Sequence, residues 1–396
     1  MPMFRQDIWM LLVRYGEIAL KSSISRLRME KRLMHNIEDA LKTHGVEAKI
    51  WASNARIWIC CFDDENKAID IATVVSRVMG VVSVSPVIQA RFNNIDELLS
   101  ISRDFFAPRI KDRVFAVRVH RVGKHSFTSK DIEKMLGKIL LESGGRGVDL
   151  ENPEVIAFIE IRNNKMYLFD RIIYGPRGIP IGVEGKVLGI ALHGLNSLAA
   201  IWMIMKRGCE VDILIPNIDD SYTSMLFSLT KKFSDIWIHG YRPKIYIVDL
   251  KSILPKINEI DSYRYAPLII KKTILKIACS IAKEINAKAI VSDESFDSDY
   301  IYIIRNLDVL DYGLDLPILR PLIALNRDEV DRIVEKIGIE KTSLEEPSYI
   351  KFGSMQTKLD VIDARKIEEK INIVVGDVSN FAKMRREYDL KTMDIK

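Results

Sequence analysis

The sequence predicts a multidomain chain in which two small α+β modules precede an α/β domain with a parallel, doubly wound sheet. Three observations carry that prediction. The chain has 396 residues, 48% hydrophobic and 29% charged, enough for two or three cores and far from a disordered composition. Its first 88 residues read as β-α-β-β-α-β, the ferredoxin-like order. Residues 174–182 (YGPRGIPIG) hold three glycines and two prolines, a linker signature, and beyond them apolar strands alternate with helices.

Taken in order, residues 8–14 (IWMLLVR) read as a strand. Leu33, Ile37 and Leu41 share one face of a helix over 26–43, with Ser25 as its N-cap and Gly45 just past its end. Strands at 47–52 and 56–62 turn at Ser53-Asn54, a helix at 66–79 stops at Gly80, and a strand over 81–88 closes the first domain. The second domain, 89–175, continues with a helix at 95–106, a strand at 113–120, a helix at 129–142, and strands at 155–161 and 165–174. In the third, 176–396, strands at 187–192, 210–215, 244–248 and 288–292 alternate with helices. Residues 187–205 carry no Asp, Glu, Lys or Arg, a length that invites a membrane reading. Gly194, Asn196 and Ser197 in its middle instead mark a buried strand turning into a helix, so no membrane partner is expected. The amphipathic segments 328–337 and 364–371 can pack on the domain or on a second subunit, which leaves a homodimer open.

Composition narrows the function classes. The four cysteines, Cys60, Cys61, Cys209 and Cys279, form no C-x-x-C pair, which argues against zinc, an iron-sulfur cluster or a disulfide framework. Each falls in or beside a predicted strand or helix, where a thiol is typically inert. The apolar run near the N-terminus, residues 8–13, is too short for a secretion signal, so a reducing cytoplasm is expected. Residues 1–175 hold 27 Lys and Arg against 22 Asp and Glu, whereas the remainder holds 32 of each, so a polyanion partner would meet the N-terminal half, although five charges over 175 residues equally suit an ordinary surface.

Three segments can carry chemistry. Residues 113–130 contain no acid but bring Arg118, Arg121, Lys124, His125 and Lys130 together with Phe127 and the hydroxyls of Thr128 and Ser129, one or other of which caps the helix. Cations, hydroxyls and a helix start suit a nucleic-acid backbone, with Phe127 as a base platform or a hydrophobic staple; the alternative is a solvated loop. The second segment is the strand-to-helix turn 192–197 (LHGLNS), where an α/β domain cradles phosphates, or a plain turn with an N-cap. The third, 292–299 (SDESFDSD), follows a strand; its four acids suit Mg²⁺ beside a nucleotide, or equally a helix N-terminus.

These pieces together resemble the tRNA 4-thiouridine synthetase family, which joins a ferredoxin-like domain, a tRNA-binding THUMP domain and a PP-loop ATP pyrophosphatase domain. The resemblance is carried by 14–21 (RYGEIALK), which includes Lys21, by 123–125 and 127–129 (GKH, FTS), by 178–187 (GIPIGVEGKV), by 205–208 (MKRG) and by 315–322 (DLPILRPL). It spans nearly the whole chain and implies tRNA as partner, ATP with Mg²⁺ as cosubstrate, and adenylation of a tRNA uridine followed by attack of a sulfur nucleophile. The implied nucleotide residues are His193, Gly194, Asn196, Ser197, Glu294 and Ser295, with Asn196 and Ser197 as the catalytic candidates.

The sequence departs from the family in three places. The motif S-G-G-x-D-S stands here as Leu192, His193, Gly194, Leu195, Asn196 and Ser197. The motif T-G-E-S-L-G-Q reads Ser292, Asp293, Glu294, Ser295, Phe296, Asp297 and Ser298. No cysteine lies near 344–349 (LEEPSY), where the family's sulfur-transfer thiol belongs. Histidine for a loop glycine removes backbone freedom, and Asp293 and Asp297 are expected to repel a triphosphate unless Mg²⁺ intervenes. Two expectations of different class follow. The chain is an ATP-dependent tRNA sulfurtransferase served by an external sulfur donor, or it is an inactive homologue that binds tRNA or partners an active modification enzyme.

Overall fold

A computed structural model of the chain describes residues 8–256, 266–296, 303–340, 369, 371–372 and 376–392, and its contacts divide into two units, Met1–Arg177 and Gly178–Lys396. In the first unit, β1 (Trp9–Tyr15), α1 (Ser23–Thr43), β2 (Lys49–Ser53), β3 (Arg56–Phe62), α2 (Glu65–Ser76) and β4 (Val81–Arg91) form the ferredoxin-like antiparallel order β2-β3-β1-β4. Ser22, rather than Ser25, caps α1: its Oγ accepts from the Ser25 amide. The first turns of that helix bury nothing, so apolar periodicity could not reveal its start. Strand β4 runs past residue 88 and pairs with a strand of the following segment, Ile88 opposite Leu168 and Arg91 opposite Lys165.

That segment supplies α3 (Ile95–Ile110), β5 (Val114–Val122), α4 (Ser129–Glu142), β6 (Gly147–Val148), β7 (Val155–Arg162), β8 (Lys165–Phe169) and β9 (Ile173–Tyr174). Both segments therefore share one nine-stranded sheet, ordered β2-β3-β1-β4-β8-β7-β5-β6 with β9 also on β4. One core packs Leu98 and Phe106 of α3 and Ile132, Leu136 and Leu140 of α4 onto Phe115, Ala157 and Ile159 of the sheet. A second joins Met10, Leu12, Trp58 and Val87 to Tyr167 and Phe169, so apolar burial crosses the boundary between the segments. Cys60 and Cys61 are adjacent on β3, Cys60 half-buried and Cys61 exposed.

The second unit holds a six-stranded sheet ordered β14-β13-β10-β11-β12-β15. Its strands are β10 (Gly185–Ile190), β11 (Cys209–Asn217), β12 (Lys244–Asp249), β13 (Ile290–Val291), β14 (Ile318–Leu319) and β15 (Arg386–Asp389). All neighbours are parallel except β12 and β15. The helices are α5 (Gly194–Met205), α6 (Asp220–Trp237), α7 (Ala266–Glu284), α8 (Ile303–Asp311), α9 (Arg327–Ile337) and α10 (Val378–Lys383). The apolar run 187–205 is buried strand and helix as expected, and among the described residues no helix is long and apolar enough to cross a membrane. A Cβ on Gly189 of β10 would come within 2.7 Å of Ile201, so glycine there lets α5 lie close on the sheet. From β10 the chain proceeds outward to β11 and β12, then returns to the other side of β10 through β13 and β14. The strand order reverses between β10 and β13, and the carboxyl ends at such a switch point form a crevice.

Candidate functional site

Two segments singled out from sequence, 192–197 after β10 and 292–296 after β13, meet at that crevice. Ser197, fully buried in the first turn of α5, accepts at Oγ from the amides of Leu192 (3.0 Å) and His193 (2.8 Å) and donates to Asp293 Oδ2. His193 Nδ1 lies 2.9 Å from the same Asp293 oxygen. Behind them the buried Lys271 of α7 approaches Asp293 Oδ1 at 3.4 Å and Glu294 Oε1 at 3.2 Å. Arg320, just after β14, stands 3.2 Å from Glu294 Oε2 and also pairs with Asp311 at 2.5 Å. Tyr222 of α6 donates to the Leu192 carbonyl at 2.9 Å, which anchors the loop from the other side.

The electrostatics follow from burial and pairing. Burial alone would push the Asp293 carboxyl up, yet His193 and Lys271 and their hydrogen bonds hold it far below the usual carboxylate range. Glu294 is likewise lowered, with Lys271 and Arg320 outweighing its burial. Lys271 is raised, because the two carboxylates outweigh a burial that by itself would lower it. Asp293 is therefore not the uncompensated charge expected to repel a triphosphate; Lys271, His193 and the Ser197 hydroxyl face it. Nor do Asp293 and Glu294 form a ready Mg²⁺ set, since their oxygens face Lys271, Arg320, His193 and Ser197. Residues Ser292 to Phe296 are not helical. Among the described residues no group of three His, Cys, Asp or Glu is placed for a metal, and Asp297 and Asp299 lie outside them.

The mouth of the crevice fits an anion. No side chain caps α5; the Asn196 amide donates to the His193 carbonyl at 3.2 Å, while the Gly194 and Leu195 amides, ahead of it in the first turn, face the helix N-terminus. Gly194 takes φ +55°, and a Cβ there would meet nothing within 4 Å, so the space beside it is open. Asn196 is exposed on that turn, while Glu294 and Ser295 are partly buried behind it. Lys271 and Arg320 were not singled out as site residues from sequence. The signal for Lys271 was present: a Lys-Lys pair inside the apolar run 268–278 (LIIKKTILKIA) demands buried partners.

Residues singled out for nucleic acid lie in the first unit and separate into two groups. Arg118 donates to the Leu150 carbonyl at 2.6 Å, and Arg121 to that of Gly123 at 3.2 Å. His125 bridges Arg121 and the Asn163 carbonyl, and its ring lies against Phe92 and Phe127. Phe127 packs on the core cluster, so it acts as a staple rather than an open base platform. Thr128 caps α4 in a capping box with Asp131, and Ser129 opens the helix. Lys21, Lys124 and Lys130 are exposed, and among the described residues none has a carboxylate partner. The loop thus has a built interior and presents Lys124 and Lys130 at its surface.

Comparison with known proteins gives three profile matches: the ThiI ferredoxin-like domain over residues 10–85, the THUMP domain over 92–170, and the family described as thiamine biosynthesis protein (ThiI) over 182–373. A probable tRNA sulfurtransferase of Aeropyrum pernix is 36% identical over 330 residues, 83% of either chain. One of Saccharolobus solfataricus is 36% identical over 359 residues, 90% of this chain and 94% of the relative. Among solved structures, PH1313 from Pyrococcus horikoshii superposes with a TM-score of 0.63 at 26% identity over 84% of this chain and 100% of that one. A 4-thiouridine synthetase, solved as an RNA complex with bound ATP, gives 0.76 at 19% identity over 96% of this chain and 99% of that one, a likeness of fold.

Proposed function

The chain belongs to the thiamine biosynthesis protein (ThiI) family, and from that premise we propose that it is an ATP-dependent tRNA sulfurtransferase. The first unit binds tRNA, with Lys21, Lys124 and Lys130 on phosphates. The crevice between β10 and β13 holds ATP, whose phosphates lie at Gly194 and the first turn of α5. The observation that carries this reading is that Asp293, the described acid that replaces a loop glycine, is neutralised internally, while the mouth at Gly194 stays open. ATP supplies an adenylyl group that turns the uridine oxygen into a leaving group. The chain's own part is to orient phosphates with backbone amides and to keep cations behind the loop.

The sulfur nucleophile comes from an external donor. Burial pushes the thiols of Cys209 and Cys279 above their ordinary value, the reverse of what a reactive thiolate needs, and Cys60 and Cys61 lie on β3 of the first unit. Sulfide or a carrier persulfide fills the role. The test is equilibrium binding of ATP with Mg²⁺ to the full chain, with and without bulk tRNA. Saturable binding at or below millimolar ATP, the usual range of substrate constants, is expected. Intact tRNA affinity without ATP binding would instead favour an inactive homologue that serves as a tRNA-binding partner.

A further inference from the structure

Along β7, Ala157 and Ile159 belong to the core beneath α3 and α4, so the alternate residues Ile156 and Phe158 point to the opposite face of the sheet. Phe158 stacks there on Phe169 of β8, with ring centroids 5.1 Å apart and planes 9° from parallel. Tyr174 is fixed beside them by its strand, β9, which pairs with β4 and sets Tyr174 opposite Ser83, yet its side chain is left 72% exposed. These residues line a cavity of about 380 Å³ whose rim carries Arg113 and Arg171. Such a volume lies at the small end of the range for ligand clefts.

The charges around the cavity are unevenly spent. Its acids are engaged: Asp170 faces Arg109 at 3.4 Å, and Glu154 accepts from Arg146 at 2.8 Å and from the Val114 amide at 2.6 Å. Arg113 and Arg171 are exposed, and among the described residues neither guanidinium has a hydrogen bond or an ion pair. Two uncompensated cations therefore stand over an apolar floor beside an exposed aromatic ring. A phosphate pairs with the first and a base face with the second, and only an unpaired base can offer its face to a ring.

We propose that this cavity is a nucleotide subsite of the tRNA-binding surface, which takes one unpaired base against Tyr174 and Phe158 and the adjoining phosphates on Arg113 and Arg171. The inference rests on the reading that the first unit binds tRNA and adds to it a contact with a base. The subsite is separate from the loop that presents Lys124: Arg113 precedes β5, and that loop follows the strand's other end at Val122.

The test is equilibrium binding of bulk tRNA, of a short single-stranded RNA bearing a fluorescent base analogue, and of a blunt RNA duplex. The proteins are the full chain, Tyr174→Ala, Tyr174→Phe and Arg113→Ala/Arg171→Ala, each measured over a salt series and with its unfolding midpoint. Tyr174→Ala is expected to weaken the single strand by about ten-fold, the scale of one base stacked on a ring, and to relieve quenching of the analogue; Tyr174→Phe should keep both. The double arginine variant should flatten the single-strand salt slope by about 0.7 for each phosphate no longer neutralised. Duplex binding should not change on Tyr174→Ala. Single-strand binding by Tyr174→Ala equal to the parent's, with tRNA still bound by the parent, would overturn the subsite while the tRNA reading stands. A loss on Tyr174→Ala shared equally by the duplex would mark a structural role and overturn it too. A parent chain without tRNA affinity would remove the tRNA reading, and the inference with it.

Discussion

A carboxylate held ionised inside a protein depends on the groups that neutralise it, and Asp293 depends on three: His193, Ser197 and Lys271. Asp293→Asn should cost about 3–5 kcal/mol of stability, since it leaves Lys271 buried with half its compensation. The sign of its pH dependence is defined. The folded carboxyls of Asp293 and Glu294 lie below their unfolded values of about 4, so their pairing contributes fully above that pH and is lost as pH falls beneath it. Unfolding measured from pH 7 to pH 3 should show the gap between parent and Asp293→Asn holding constant and then narrowing below about pH 4; a gap unchanged at pH 3 would show that Asp293 is not the group neutralised. The loop residues themselves were legible in sequence, because a strand ending in a small polar turn before an apolar helix is recognisable. What His193 and Asp293 do was not, because their contact joins two strand ends whose adjacency only the sheet order creates.

At the scale of elements, the first unit is held by a charged cluster as well as by apolar packing. Glu160 on β7 is buried and accepts from Arg162 at 2.8 Å, with Arg14 of β1 and Arg56 of β3 each at 3.7 Å. Arg14, part of the segment that carries the family resemblance, also donates to Ser85 and lies 5.0 Å over the Phe169 ring. Glu160→Gln should therefore destabilise the first unit by about 3–5 kcal/mol, read from its chemical unfolding, because three guanidinium groups lose their counter-charge together. A change under about 1 kcal/mol would mean that solvent already compensates them. On the loop before α4, Lys124→Ala with Lys130→Ala should weaken tRNA binding and reduce the salt slope by about 1 for each phosphate that is no longer neutralised; an unchanged slope would remove this loop from the interface. The bounds of helix α4, 129–142, were legible, whereas the choice of Thr128 over Ser129 as its cap rests on the capping box that the structure forms with Asp131. The two-residue β6 was too short to show a period, and the polar β15 carries no apolar alternation to reveal it. That two modules share one sheet was not legible either, because strand pairing across a domain boundary leaves no local pattern.

For the molecule as a whole, the excess of Lys and Arg falls in residues 1–175, and the boundary after Arg177 separates a unit with its own sheet and cores. A fragment of residues 1–177 should fold cooperatively and bind tRNA more weakly than the full chain, as judged by filter binding beside circular dichroism. A folded fragment without affinity would move the principal tRNA-binding surface to the second unit. On the function proposed, the second unit carries the ATP chemistry, at the switch point of a parallel sheet where His193 and Asp293 stand in for glycines. The most direct test of that account is tRNA-dependent release of pyrophosphate from ATP and Mg²⁺ by the purified full chain. The account predicts release that requires tRNA and falls on His193→Gly; tRNA bound tightly with no pyrophosphate released would contradict it and leave a binding module.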